Sequence, residues 1–109
     1  MRVIALDTSG SIPEEAIKHV MENRINVGDY VLMFDTKVYP QGIITSRDQI
    51  SSMKLMGFGG TLISVVLDYI DQMTSVTEVI IFTDGYFYGD KDERLSNVTV
   101  EHYDYRTIF

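Results

Sequence analysis

Three short runs of apolar residues recur along the chain, separated by longer stretches of mixed polarity. The runs cover residues 3–6, 30–34 and 79–82, and an aspartate closes each of them, directly or after one threonine. They are rich in β-branched or aromatic residues and contain no alternating polar positions. Unbroken apolarity is typical of strands that are covered on both faces, as in a parallel sheet between helices. We therefore predict three central strands of a buried, mostly parallel sheet.

Helical spacing in the intervening stretches predicts helices that cover this sheet. After Ser11, four apolar residues fall on one helix face, and Ser11 with Glu14 has the pattern of a capping box around Pro13. Asn26 to Gly28 would end this helix. Residues 61–73 carry one polar stripe on an otherwise apolar helix, which indicates that most of that helix is buried. A weaker helical turn is predicted over residues 46–53.

Two further strands complete the prediction. Residues 38–44 resemble an edge strand interrupted by Pro40, because edge strands tolerate proline, and residues 98–103 alternate as a last strand. The order β-α-β-β-α-α-β-β predicts an α/β fold. We expect a three-layer α/β/α, Rossmann-like open sheet, mostly parallel with an antiparallel edge strand. One domain would span residues 1–109, since no repeat or linker divides them.

Composition narrows the function classes. The net charge of −7 disfavours nucleic acid and anionic membranes as partners, because both require clustered Lys and Arg. The absence of cysteine excludes disulfides, thiolate zinc sites and cysteine nucleophiles. No apolar run approaches the roughly 18 residues of a membrane span, and the N-terminus lacks the pattern of a secretory signal. We expect a cytoplasmic protein.

The strand ends are the candidate sites for chemistry. In open α/β sheets, ligands bind outside the carboxyl ends of the strands, where Asp7, Asp35 and Asp84 lie. Two unit charges about 5 Å apart repel by roughly 3 kcal/mol at an effective dielectric of 20. Such a group of carboxylates needs a proton, a cation or a wider spacing. Oxygen-only surroundings favour a hard divalent cation, since no His or Cys occurs in these loops.

Three loops supply the oxygen atoms. Asp7-Thr8-Ser9-Gly10-Ser11 joins a predicted strand to a predicted helix, so the side chains of residues 7, 9 and 11 can point the same way. Gly57-Phe58-Gly59-Gly60-Thr61 also enters a helix, with Thr61 at its start. Phe82-Thr83-Asp84-Gly85 ends a strand. The glycine-rich loop is not a phosphate-binding loop, because no Lys precedes Thr61.

The DxSxS motif, the Gly-Gly-Thr loop and the Thr-Asp-Gly turn follow one another in this order along the chain. This arrangement resembles the von Willebrand factor type A (VWA) domain. The resemblance implies a metal-ion-dependent adhesion site (MIDAS) for Mg²⁺ or Mn²⁺. By that resemblance, Ser9 and Ser11 are direct hydroxyl ligands and Thr61 is the third-loop ligand. Asp7 and Asp84 would reach the metal largely through water. The metal residues are therefore expected to be Asp7, Ser9, Ser11, Thr61 and Asp84.

The same resemblance implies the function. Mg²⁺ held by neutral hydroxyls and outer carboxylates keeps one open position, which an anionic oxygen can fill. We expect a protein-interaction domain that recognises an Asp or Glu carboxylate of a protein partner and performs no catalysis. The Gly-rich loop and the Phe34-Asp35 strand end resemble the cytosolic branch of the family, whose members often work beside AAA+ ATPases. Few residues follow Gly85, so the fold would be shortened at its C-terminus.

Three other functions compete with this interpretation. A phosphoryl-transfer enzyme of the haloacid-dehalogenase type also places an Asp beside Mg²⁺ at its first strand end, but it needs a second acid where this chain has Ser9. A phospho-receiver domain needs paired acids after the first strand and a Lys after a later one. A degenerate VWA scaffold would bind no metal.

Simpler roles exist for individual residues. Ser11 and Thr61 would be good helix N-caps, worth about 1 kcal/mol each without any metal. Asp35 is predicted to be a turn residue that shapes the rim, and residues 90–94 a solvated loop. His19 and His102 are expected at the surface. Aromatic residues after the Asp84 turn could line a partner-binding rim or pack over the sheet end; they are Tyr86, Phe87 and Tyr88.

Overall fold

The computed structural model describes residues 1–85 and 92–103 of the chain. In the described part, five strands form one sheet in the order β3-β2-β1-β4-β5. The neighbours of β1 pair with it in parallel, and β5 is parallel to β4, whereas β3 is antiparallel to β2. The strands are β1 (Arg2–Asp7), β2 (Tyr30–Phe34), β3 (Val38–Ile43), β4 (Glu78–Thr83) and β5 (Thr99–His102). The predicted mostly parallel sheet with an antiparallel edge strand is confirmed.

Helices cover both faces of this sheet, so the three-layer prediction is also confirmed. The helices are α1 (Glu14–Arg24), α2 (Arg47–Ser51) and α3 (Ile63–Asp71), followed by a 3₁₀ helix (Glu93–Asn97). Each predicted helix is present, although α1 and α3 begin two or three residues later than the sequence suggested. None of the helices in the described ranges is long and apolar enough to cross a membrane.

The alternation of side chains along β1 explains why the strand has no polar position between Arg2 and Asp7. Ile4 and Leu6 pack in one core with α1 and α2, and Val3 and Ala5 pack in a second core with α3. All four side chains are fully buried. Because successive residues of a strand point to opposite faces, a strand between two helical layers must be apolar wherever both of its faces are covered.

Residues 92–94 differ from the solvated loop predicted over residues 90–94, of which 90 and 91 lie outside the described residues. Arg94, in the 3₁₀ helix, forms ion pairs with Asp68 and Asp71 of α3 and with Asp92. These contacts attach the 3₁₀ helix to α3. The sequence pattern missed them because the carboxylates of α3 lie more than 20 residues away along the chain.

Candidate metal centre at the carboxyl edge of the sheet

Asp7 lies at the base of the candidate site. It is the last residue of β1 and is fully buried. Its Oδ1 accepts a hydrogen bond from the backbone N–H of Ser9 at 2.8 Å, and its Oδ2 accepts one from Thr83 Oγ1 at 2.7 Å. Burial raises the pKa of the Asp7 carboxyl, the two hydrogen bonds partly oppose this rise, and the nearby Asp84 charge adds to it.

A chain of polar contacts above Asp7 joins the first loop to the loop after β4. Ser9 is 2% exposed, and its Oγ lies 3.5 Å from Ser11 Oγ. Ser11 Oγ donates a hydrogen bond of 2.9 Å to Asp84 Oδ2. The parallel pairing of β1 with β4 places the ends of these strands side by side, which brings together residues that are 73 positions apart in the sequence.

The predicted capping role of Ser11 is wrong. Helix α1 begins at Glu14, its N-cap residue is Pro13, and no side chain caps it. The chain between Ser9 and Pro13 turns before the helix starts, with the N–H of Ile12 donating to the Ser9 carbonyl. Ser11 is therefore displaced from the capping position, and its hydroxyl contacts the Asp84 carboxylate instead.

Thr61 does not cap a helix either. Helix α3 begins at Ile63, and Leu62 occupies the N-cap position without a side-chain cap. Thr61 instead lines a cavity of about 440 Å³ at the sheet edge. The residues around this cavity come from all three predicted loops: Ser9, Gly10, Ser11, Gly59, Gly60, Thr61 and Asp84.

Two glycines allow the glycine-rich loop to lie against the first loop. A Cβ on Gly10 would come within 2.8 Å of the Phe58 carbonyl oxygen, and a Cβ on Gly57 would come within 2.6 Å of Thr8 Oγ1. Gly57 also has a φ of +121°, which side-chain-bearing residues avoid. The loops are joined by backbone hydrogen bonds from Gly10 to Gly59 and from Phe58 to Thr8.

Asp35 and Thr8 fix this loop pair from beneath. Asp35 is 5% exposed; its Oδ1 accepts from the N–H of Lys37, and its Oδ2 accepts from the N–H of Gly59 at 3.1 Å. Its carbonyl also accepts from the N–H of Leu62. Thr8 Oγ1 donates to the Met56 carbonyl at 2.5 Å. The prediction that Asp35 shapes the rim agrees with these contacts.

The structure adds residues that sequence reasoning left out. Thr83 Oγ1 donates a hydrogen bond to Asp7 Oδ2, and the Tyr103 hydroxyl donates one to the Asp7 backbone carbonyl at 2.8 Å. His102 is exposed as predicted, yet its ring packs against Gly85. A Cβ added to Gly85 would lie 3.0 Å from the His102 ring. Only the pairing of β5 with β4 reveals the proximity of Tyr103 and His102. The aromatic residues Tyr86, Phe87 and Tyr88 lie outside the described residues.

The donor chemistry of the site suits a hard cation. Three hydroxyls and one carboxylate line the cavity, and the Asp7 carboxylate lies beneath them. All of these donors are oxygens, which Mg²⁺ and Mn²⁺ prefer. Within residues 1–85 and 92–103, no three Asp, Glu or His side chains are grouped so that they could hold a metal ion by themselves. Any metal here would therefore depend on the hydroxyls.

Solved structures with the same fold come from diverse sources. Proximal thread matrix protein 1 from the mussel byssus is 20% identical with a TM-score of 0.63, and 93% of this chain covers 34% of it. An aerotolerance-related membrane protein from Bacteroides fragilis is 19% identical with a TM-score of 0.55, and 93% of this chain covers 65% of it. The ArnB paralog VWA2 from Sulfolobus acidocaldarius is 17% identical with a TM-score of 0.58, and 93% of this chain covers 33% of it.

These chains share the fold with this one, which spans only about a third to two thirds of their lengths. No curated protein sequence matches the chain. The family described as VWA-like domain (DUF2201) matches residues 2–92, which include β1 to β4 and every candidate ligand. The chain therefore belongs to this family of VWA-like domains.

Proposed function

We propose that this chain is a protein-interaction domain that binds Mg²⁺ or Mn²⁺ and uses the metal to recognise an Asp or Glu carboxylate of a partner protein. One observation carries the proposal. The Ser9, Ser11 and Thr61 side chains line one cavity together with Asp84, although no helix uses Ser11 or Thr61 as a cap. Local helix stability therefore does not explain why these residues carry hydroxyls.

The residues divide into two groups by their chemistry. Ser9, Ser11 and Thr61 would hold the metal through their hydroxyls, and Asp7 and Asp84 would act largely through water. The direct hydroxyl ligands are neutral and the two carboxylates act only through water, so the ion would retain an attraction for an anionic oxygen at its open position. A carboxylate from outside the domain would complete the site.

The surrounding residues orient these ligands. The Ser11 hydrogen bond holds the Asp84 carboxylate at the cavity, and Thr83 with the Ser9 amide fixes both oxygens of Asp7. Asp35 and Thr8 hold the glycine-rich loop that carries Thr61. The site is thus preorganised by contacts between loops and does not depend on one flexible segment.

A non-catalytic role is part of the proposal. The imidazole of His19 lies 3.3 Å from the Asn23 amide, and the His102 ring packs against Gly85, so the contacts described for these two rings are with Asn23 and Gly85 rather than with a serine nucleophile. A haloacid-dehalogenase mechanism needs a second acid at position 9, which is a serine. We further propose a cytoplasmic partner, such as an AAA+ ATPase system, and no nucleic-acid partner because of the acidic charge.

Thermal unfolding with increasing Mg²⁺ or Mn²⁺ tests the metal site. A ligand that binds only the folded state stabilises it by about 2.7 kcal/mol at one hundred times its dissociation constant, so the melting temperature should rise with metal concentration. The double variant Ser9→Ala/Ser11→Ala should lose this rise. Ser51→Ala, which changes a serine in α2, should retain it. No response of the wild type up to millimolar metal would refute the proposal.

Partner recognition needs a separate measurement. Pull-down in Mg²⁺ and in EDTA, with wild type and the Ser9→Ala/Ser11→Ala variant, should recover partners only with intact wild type and metal. Equal recovery under all conditions would count against recognition through a bridging metal, even if the domain binds Mg²⁺.

A further inference from the structure

Exposed apolar side chains concentrate beside the candidate metal site. Among the described residues, five large hydrophobic side chains are exposed. Three of them lie within residues 56–62, the stretch that carries Thr61: Met56 is 44% exposed, Phe58 is 48% exposed and Leu62 is 36% exposed. We name these three residues the apolar rim. The other two, Val27 and Ile43, lie in the α1–β2 loop and on the edge strand β3.

The backbone at Phe58 is strained, although a glycine at this position would not be. Phe58 has a φ of +75°, in the left-handed region that aromatic residues rarely adopt. Two hydrogen bonds impose this conformation: the Phe58 N–H donates to the Thr8 carbonyl, and the adjacent Gly59 carbonyl accepts from the Gly10 N–H. Glycines already stand at positions 57, 59 and 60. An exposed, strained phenylalanine in such a loop points to a surface function.

The apolar rim flanks the cavity lining along the chain, with Leu62 directly after Thr61. Gly59 and Gly60 line the cavity, and Phe58 immediately precedes them. Consecutive Cα atoms are about 3.8 Å apart, so Phe58 lies within one or two residue lengths of the cavity wall. A partner side chain that enters the cavity therefore brings its own sequence neighbours over the rim.

We propose that the apolar rim, and Phe58 above all, selects partners whose acidic residue has a large apolar residue within two positions of it. The inference rests on the function proposed above, in which the acidic residue enters the cavity. The acid alone would give little selectivity, because carboxylates are common on protein surfaces. The apolar neighbour supplies the selectivity, because it removes the exposed aromatic ring from water.

The expected contribution of Phe58 is large enough to measure. About half of a phenylalanine side chain, or roughly 100 Å² of apolar surface, is available for burial. If a peptide buries about 70 Å² of this surface, at 20–33 cal/mol per Å², the loss of the ring should weaken peptide binding by about ten- to fifty-fold. Phe58→Asn is the informative variant, since asparagine tolerates a positive φ and should leave the loop conformation unchanged.

Selection from a phage-displayed library of random nonapeptides tests the inference. The library is bound to the immobilised domain in millimolar Mg²⁺, and bound phage are released with EDTA. We expect the released peptides to be enriched in Asp or Glu with Leu, Ile, Phe or Trp within two positions. Released peptides that carry acids without any enrichment of apolar neighbours would overturn the inference and leave the proposed function intact. A failure of EDTA to release acidic peptides would contradict the proposed function itself.

Variants then assign the effect to the rim. Fluorescence anisotropy of a selected peptide should show about ten- to fifty-fold weaker binding to Phe58→Asn and a smaller loss for Phe58→Leu, which stays apolar. Val27→Asn removes a similarly exposed apolar side chain from the α1–β2 loop, and it should change the affinity by less than twofold. Mg²⁺ affinity, measured by calorimetry, should be the same in all three variants, which also shows that they are folded. Wild-type peptide affinity in Phe58→Asn would refute the role of the rim.

Discussion

Alanine substitutions at four glycines can separate two costs that the loop geometry predicts. Gly28 and Gly42 have φ values of +99° and +89°, but a Cβ on either would meet no atom within 4 Å. Gly10 has no positive φ, but its Cβ would lie 2.8 Å from the Phe58 carbonyl oxygen. Gly57 combines a φ of +121° with a 2.6 Å approach to Thr8 Oγ1. An alanine would thus meet backbone strain alone at positions 28 and 42, a steric clash alone at position 10, and both at position 57.

The expected magnitudes follow from these distances. A left-handed alanine costs about 1–2 kcal/mol, so Gly28→Ala and Gly42→Ala should lower the free energy of unfolding by that amount. Overpacking costs about 1–3 kcal/mol, which applies to Gly10→Ala. Thr8 Oγ1 cannot retreat from a Cβ on Gly57 without breaking its bond to the Met56 carbonyl. Gly57→Ala should therefore cost about 2–5 kcal/mol, since it carries both penalties.

Urea unfolding of the metal-free variants measures these costs, and calorimetry with Mg²⁺ measures their effect on the site. We expect Gly10→Ala and Gly57→Ala to weaken metal binding, because they move the loops apart, whereas Gly28→Ala and Gly42→Ala should leave it unchanged. If Gly57→Ala unfolds at the same urea concentration as Gly28→Ala, the contact between the two loops does not have the described geometry.

Three further predictions concern charged and phenolic groups. Burial raises the pKa of Asp7 above 3.8, so the free energy of unfolding of the metal-free protein should fall as the pH rises through the titration range of this carboxyl. At pH 7, Asp7→Asn should therefore unfold at a higher urea concentration than the wild type. The same variant should lose the stabilisation by Mg²⁺. Burial and the hydroxyl contact with Tyr69 raise the pKa of Tyr30 to about 12, so absorbance at 295 nm should show a late phenolic ionisation, and stability should decrease above pH 10. Hydrogen bonds from Arg94 lower the pKa of Asp92 to about 2, and a carboxyl titration by NMR should find that Arg94→Gln returns this pKa toward 3.8.

Several elements could be predicted from the sequence because their signals are local. The apolar run from Val3 to Leu6 indicates a strand buried on both faces, and the structure packs alternate residues of that run into two cores. The proline in the 38–44 segment indicates an edge, and β3 is the antiparallel edge strand. The DxSxS motif and the two later loops indicate a shared site, since parallel strands end at the same edge.

The roles of Ser11 and Thr61 could not be decided in this way. Both hydroxyl residues stand shortly before helices, where a local pattern cannot distinguish a cap from a ligand. In the structure, helices α1 and α3 both begin after these residues. The Ser11 hydroxyl instead donates a hydrogen bond to Asp84, which is 73 residues away along the chain. That contact depends on β4 lying beside β1, which is a property of strand order.

By itself, the sequence determined the element types, the two-sided burial of the central strands and the set of oxygen-bearing loops. Hydrophobic periodicity, the positions of glycine and proline, and acids at strand ends depend only on residues that are close together in the chain. Tertiary structure alone decided that Tyr103 and Thr83 hold Asp7, that Asp35 supports the glycine-rich loop, and that Phe58 stays exposed in a strained conformation. These features depend on contacts between segments that are far apart in the chain, and only the packing of the sheet and its loops brings those segments together.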